Sequence, residues 1–231
     1  MNEFLFDAAF RQELSNSAHQ DGEVTLLESV LRPGMVALEG GANRGVTAVA
    51  IAKAVGDTGH VHAFEPVPEY FGWLKGNIAR NRVANITAHN LALSDRNGPL
   101  DFYKHGEGSG VASAEDAEQI HVEAITIPKF VANHGIVRVD FLNLDCEGSE
   151  LLIFQNSRDL LIEQGPAIFC EVHRGYLEQL GHSVPQLVDF LVGLGYKVTP
   201  VQVNDLDDPS DVDSCSHIFA AHALKTENVL R

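Results

Sequence analysis

The chain of 231 residues carries 32 acidic against 16 basic side chains, a formal charge of −16, with 45% hydrophobic and 21% charged residues. This balance is that of a folded globular protein, and it speaks against a nucleic-acid partner, which needs clustered Lys and Arg on the phosphate backbone. The length suits one α/β domain over 1–231, able to bury roughly 70% of its unfolded surface without a disulfide or metal staple.

In chain order, residues 24–31 (VTLLESVL) place Val24, Leu27 and Leu31 on one helical face, stopped by Arg32-Pro33-Gly34. Segment 1–34 is therefore expected to be a helical cover on the core. MVALEGG (35–41) reads as a buried strand, and VTAVAIAKAVG (46–56) as a helix with Val46, Val49, Ala50 and Ala54 inward. HVHAFEP (60–66) is a second strand, followed by a helix over 68–81 with Phe71, Leu74 and Ile78 inward. ITAHNLALSD (86–95) reads as a third strand. An inserted hairpin is expected over 96–127, its strands LDFYKH and IHVEAITI. The acidic loop GEGSGVASAEDAEQ between them is either solvated surface or a lid.

VDFLNLDCEGSE (139–150) is a strand running into an acidic turn, with a helix from about Leu151. PAIFCEVH (166–173) is another strand. In SVPQLVDFLVGLG, Ser183 is the N-cap, Leu187, Phe190, Leu191 and Leu194 share a face, and Gly195 is the stop. YKVTPVQV and SHIFAAHA close the chain as strands. This alternation predicts a mostly parallel sheet with helices on both sides. Cys146, Cys170 and Cys215 are odd in number and lack a CxxC pair, so they read as free thiols of a reducing compartment. With no apolar run of spanning length and no targeting segment, the expectation is a cytoplasmic protein without a membrane partner.

Ligands of such sheets bind at the carboxyl ends of the strands. There the first strand ends in LEGGANRG (38–45), and Glu65 ends the second. The glycines and Glu65 suit either a dinucleotide or S-adenosylmethionine. Glu39 separates them, because it would repel a pyrophosphate but attract the ammonium and sulfonium of S-adenosylmethionine.

Taken together, EGGANRG, FEP, NLALSD, DCEGSE and EVH, from Met35 to His173, resemble the FkbM-type family of S-adenosylmethionine-dependent methyltransferases. The resemblance implies the class I, Rossmann-like sheet of seven strands with the last antiparallel. It also implies that Gly41, Asn43 and Gly45 line the methionine end and Glu65 the ribose, with Asn90 to Leu93, Ala92 included, passing the adenine. Glu39 stands where the family usually has aspartate. Natural-product or sugar acceptors follow from the same resemblance.

Asp145, Glu147 and Glu150 crowd the end of the fourth strand, near Glu171 and His173 at the end of the fifth. Methyl transfer needs an acceptor in line behind the sulfonium, and an alcohol must also lose a proton. Asp145, Glu171 and His173 are the catalytic candidates, Asp145 also facing the cofactor. His173 is a candidate base, or the three side chains hold Mg²⁺ or Mn²⁺. Glu150 reads as an acid favouring the next helix N-terminus. His60, His62, His105, His121, His217 and His222 show no ligand spacing and read as structural or exposed. Carboxylates beside Cys146 and Cys170 disfavour a thiolate nucleophile. The reading is an S-adenosylmethionine-dependent methyltransferase acting on a hydroxyl of a small molecule, natural product or glycan. An NAD(P)-dependent oxidoreductase and a non-catalytic cofactor-binding protein are the alternatives. An edge strand near the C-terminus leaves a homo-oligomer open.

Overall fold

The computed structural model describes residues 3–15, 18–112, 116–204, 208–212 and 214–225. Its main sheet has seven strands in the order β3 (Ile86–His89), β2 (His60–Phe64), β1 (Val36–Gly40), β7 (Phe141–Leu144), β8 (Ala167–Glu171), β10 (His217–His222) and β9 (Tyr196–Val201). Neighbours from β3 to β8 are parallel, while β10 runs antiparallel to both β8 and β9. The seven strands with a reversed last one are those the sequence led us to expect. All four residues of β7 are buried, as are Ala37 to Gly40 of β1. Covering on both faces is what allows such unbroken apolar runs.

After the short α1 (Ala8–Leu14), α2 (Ala18–Val30) and α3 (Val46–Val55) pack Leu27, Ile51 and Val55 on Ala37, Val61, Phe141 and Phe169 on one face. On the other lie α5 (Ile127–His134), α6 (Glu150–Asn156), α7 (Arg158–Gln164), α8 (Arg174–Gln179) and α9 (Val184–Gly193). Phe130, Phe154, Leu161, Leu177 and Leu187 meet Leu38, Phe64, Leu142 and Ile168 there. Helix α4 (Pro68–Asn81) has the bounds read from its sequence and buries Leu74 beside Ala48 and Ala63. Ser183 caps α9 by accepting from Gln186 N. Among the described residues, no helix is long and apolar enough to cross a membrane.

The structure changes two readings. ITAHNLALSD is not one strand: β3 stops at His89, and Ala92–Leu93 (β4) joins a separate three-stranded sheet, β4-β6-β5, with β5 (Gly98–Lys104) and β6 (Glu118–Ile125). The break falls at Asn90, whose side-chain amide donates to the carbonyls of Glu65 and Pro66 at 2.8 and 2.9 Å and ties the chain across the end of β2. The strand IHVEAITI ends at Ile125, and its last apolar residue, Ile127, instead opens α5. Thr126 caps α5 by accepting from Lys129 N, Pro128 sits in its first turn and Gly135 (φ 61°) ends it.

Candidate active site

The chain leaves β1 through Gly41 (φ 82°), Asn43 (φ 47°) and Gly45 (φ 90°) before entering α3. The sequence suggests glycines that clear space for a ligand, but the space beside them belongs to the protein. A Cβ on Gly41 would lie 1.8 Å from the Asp145 carbonyl oxygen, and one on Gly45 would lie 2.5 Å from Leu74 Cδ1. These glycines let the turn press against the end of β7 and let α3 pack on α4. Gly41→Ala combines a backbone clash with a left-handed φ, so we expect it to cost roughly 3 kcal/mol or more. Urea unfolding of the ligand-free protein measures this.

Glu65 completes the turn. Its Oε2 accepts from Asn43 N and its Oε1 from Val67 N, both at 2.8 Å. Burial raises its pKa to about 7 against these two hydrogen bonds. Each oxygen keeps a second lone-pair direction, which a vicinal diol can engage.

Two lobes of one cleft meet at Gly41, Asn43, Asp145 and Glu147, which line both. The apolar lobe lies over Glu65, walled by Pro66, Tyr70, Ala92, Leu93, Leu100, Phe102 and Val111. The inserted strands thus supply a wall to this lobe, and segment 106–110 closes on it. Gly110 packs so tightly on Glu147 that a Cβ there would lie 2.8 Å from Glu147 Cβ, and Tyr176 Oη donates to the Gly108 carbonyl at 3.4 Å.

The polar lobe is lined by Glu23 of α2, residues 41–47, Asn143, Asp145, Glu147, Glu171, His173 and His217. His173 sits at its centre. Its Nε2 lies 3.1 Å from Glu147 Oε2, 3.5 Å from Glu171 Oε1 and 3.6 Å from Asp145 Oδ1, while Nδ1 lies 3.4 Å from Glu150 Oε1. Burial alone would lower its pKa, but Glu150, Asp145 and Glu147 prevail and hold it up to about 10. His173 is therefore an imidazolium at neutral pH. That corrects the expectation of a near-neutral base at this position.

Asp145 shows the opposite balance. Burial and then Glu171 push its pKa well above the usual carboxylate range, with His173 opposing them. Its side chain is 42% exposed along the cleft, yet Oδ1 is shut off from solvent with no hydrogen-bond donor. Glu150 is not simply a helix-terminal acid. It is fully buried, and its Oε1 accepts from Cys146 N (3.0 Å) and Gly148 N (3.1 Å), holding the DCEGSE turn closed. In that turn Glu147 takes φ 49°, a left-handed conformation rare for a side-chain-bearing residue.

Of the residues singled out from the sequence, Gly41, Asn43, Gly45, Glu65, Ala92, Asp145, Glu171 and His173 line the cleft. Asn90 is not among its lining residues, because its amide serves the β2–β3 junction. Glu39 is 1% exposed and lies behind the wall. Asn143 donates to its Oε1 at 3.1 Å, Thr47 hydrogen-bonds the carboxylate, and Oε2 has no hydrogen-bond donor. Sequence reasoning missed Thr47, Asn143, Glu23 and His217. The buried His217 faces Glu23 Oε1 at 3.1 Å and Glu171 Oε2 at 3.7 Å. Those partners are 194 residues apart (Glu23 and His217) and leave no local signal.

The sheet order with its reversed strand, the acid-ended β1 and the glycine turn define the class I methyltransferase fold. Solved structures share it. An O-methyltransferase from Bacillus cereus in complex with SAH is 10% identical, with a TM-score of 0.57, over 94% of this chain and 91% of that one. A SAM-dependent methyltransferase from Aquifex aeolicus is 16% identical, with a TM-score of 0.52, over 94% of this chain and all (100%) of that one. The methyltransferase FkbM domain matches residues 39–198, and the chain belongs to that family. The 31-O-demethyl-FK506 methyltransferase FkbM of Streptomyces tacrolimicus is 28% identical over 206 residues, 74% of this chain and 76% of the relative.

Proposed function

We propose that this methyltransferase moves the methyl group of S-adenosylmethionine to a hydroxyl of a small molecule, natural product or glycan, with Asp145 as the general base. The observation that carries the reading is the seam of the cleft. An apolar lobe with a diol-competent Glu65 suits adenosine, and a polar lobe suits the methionine end and an acceptor. Asp145 lies between them, its side chain 42% exposed along the cleft. A carboxylate whose pKa is raised by burial is a stronger base than one in water, and the exposed part of the Asp145 carboxylate can accept from an acceptor hydroxyl. Attack of that oxygen on the methyl carbon breaks the carbon–sulfur bond and leaves S-adenosylhomocysteine, while the hydroxyl proton passes to Asp145. His173 stays protonated and holds Asp145, Glu147 and Glu171 together.

Oxygen as the acceptor atom is supported by the relatives' names, one an O-methyltransferase and one acting on an O-demethylated compound. Asp145, Glu171 and His173 each bring a ligand atom within 4.8 Å of the others, so they are the side chains that would hold Mg²⁺ or Mn²⁺. His173 Nε2, however, already faces three carboxylates as a charged donor, and an ion there would have to displace its proton. The set fits an imidazolium better than a metal. We expect a chelator to leave the turnover rate unchanged.

The test is calorimetric titration with S-adenosylhomocysteine, NAD and NADP in parallel. Micromolar binding of the first and silence from both dinucleotides is the expected result. Dinucleotide binding alone would refute the assignment, because Glu39 and Glu65 would then serve an oxidoreductase.

A further inference from the structure

Four histidines that look scattered in the sequence converge behind the apolar lobe. His60 and His62 alternate on β2, and the register pairs His62 with Thr87 and Phe64 with His89, so His62 and His89 share one face of the sheet. His134 reaches the same place from α5. His62 Nδ1 and His89 Nε2 are 3.1 Å apart. The ring centroids of His62, His89 and His134 form a triangle with sides of 5.4, 5.6 and 6.1 Å, and His60 lies 4.7 Å from His62.

The His62 and His89 nitrogens are spaced as two ligands of one metal ion, with the His134 ring beside them, although the three do not yet bring one nitrogen each within 4.8 Å of one another. Bonds of about 2.1 Å at tetrahedral angles place neighbouring ligand nitrogens roughly 3.4 Å apart and their ring centroids at about 5 Å. The His62 and His89 rings are also held in place. Phe130 meets His62 and His89 edge-on at 5.1 and 4.8 Å. His134 Nδ1 lies 2.9 Å from the Phe130 carbonyl, which as an N–H donor leaves Nε2 with its lone pair outward. His62 and His89 are half-buried and His134 is exposed, so an ion can reach them. No carboxylate takes part in these contacts, and an all-imidazole set selects Zn²⁺, Cu²⁺ or Ni²⁺ over Mg²⁺.

We propose that His62, His89 and His134 bind one borderline transition-metal ion, which staples the edge strand β3 and helix α5 to β2. The exposed His134 side chain has to turn toward His62 and His89 to complete the set. His89 directly precedes Asn90, which ties β3 to the Glu65 and Pro66 carbonyls, so the staple would brace the back of the apolar lobe without entering it.

Untagged, chelator-stripped full-length protein is titrated calorimetrically with Zn²⁺, Cu²⁺, Ni²⁺ and Mg²⁺, and the Cu²⁺ complex is examined by electron paramagnetic resonance. We expect one equivalent of each transition ion to bind, a rise in melting temperature with Zn²⁺, and nitrogen hyperfine structure from more than one imidazole. His62→Ala and His89→Ala should each weaken Zn²⁺ at least about tenfold, and so should His134→Gln, which removes an exposed ring and leaves the core untouched. His173→Gln should leave this binding in place, separating it from the catalytic cleft. Binding unchanged in His134→Gln and His89→Ala, a copper spectrum with a single nitrogen, or no transition-ion binding by wild type would overturn the proposal.

Discussion

Glu39→Gln is expected to stabilise the ligand-free protein by about 3 kcal/mol at pH 8 while weakening S-adenosylmethionine roughly tenfold or more. Glu39 is buried to 1% exposure, with one oxygen lacking a hydrogen-bond donor. Burial lifts its pKa from 4.5 to about 7, against the Thr47 and Asn143 hydrogen bonds. In the unfolded chain the group ionises at its ordinary pKa, whereas the folded protein keeps the proton longer. Stability is therefore whole below about pH 4.5 and is lost as pH rises through about 7, at about 1.4 kcal/mol for each pH unit between those two values. Glutamine never ionises, so its advantage should be under about 1 kcal/mol at pH 5 and near its full value at pH 8. Urea unfolding of both proteins at the two pH values reads the difference directly. An equal difference at both would mean that Glu39 is not a buried carboxylate under strain. The binding loss has the same origin, since a charge held at a desolvation cost attracts a cationic ligand more strongly than one in water. A dinucleotide, lacking that cation, should bind the variant no worse.

The sequence showed the elements whose signals are local. Helix α4 runs from Pro68 to Asn81 as its periodicity indicated, and Ser183 caps α9. Where a boundary depends on distant contacts, reading failed. Nothing near Asn90 announces that it will bind carbonyls 24 and 25 residues earlier. The alternation of β6 continues through Ile127, hiding the start of α5 from a period-two pattern. The site shows the same division. Gly41, Gly45 and Glu65 stood out by spacing, but the reason for each glycine lies in Asp145 and Leu74, on other elements. The charge of His173 could not be read, because it depends on carboxylates from the DCEGSE turn, the end of β8 and the first residue of α6 meeting around one ring. Glu150 read only as a helix-terminal acid because its burial is a property of packing, not of sequence.

Exchanging the two central residues of the polar lobe should separate base from support. Asp145→Asn is expected to lower kcat by about 10²- to 10⁴-fold, the usual scale of general-base catalysis, with S-adenosylhomocysteine affinity kept within a few-fold. In wild type at saturating S-adenosylmethionine, kcat should rise with pH through an ionisation above the ordinary carboxylate range, as Asp145 loses its proton. His173→Gln removes the cation that holds Asp145 ionised, leaving Glu171 and Glu147 to push the pKa further up. The rising limb should therefore move to higher pH, and activity should recover there towards the wild-type plateau. A base at His173 predicts the reverse pattern: His173→Gln would be inactive at every pH, and Asp145→Asn would keep an ionisation in its rate profile. The two hypotheses differ in the shape of a curve, so partial misfolding of either variant, which scales the whole profile, does not blur the distinction.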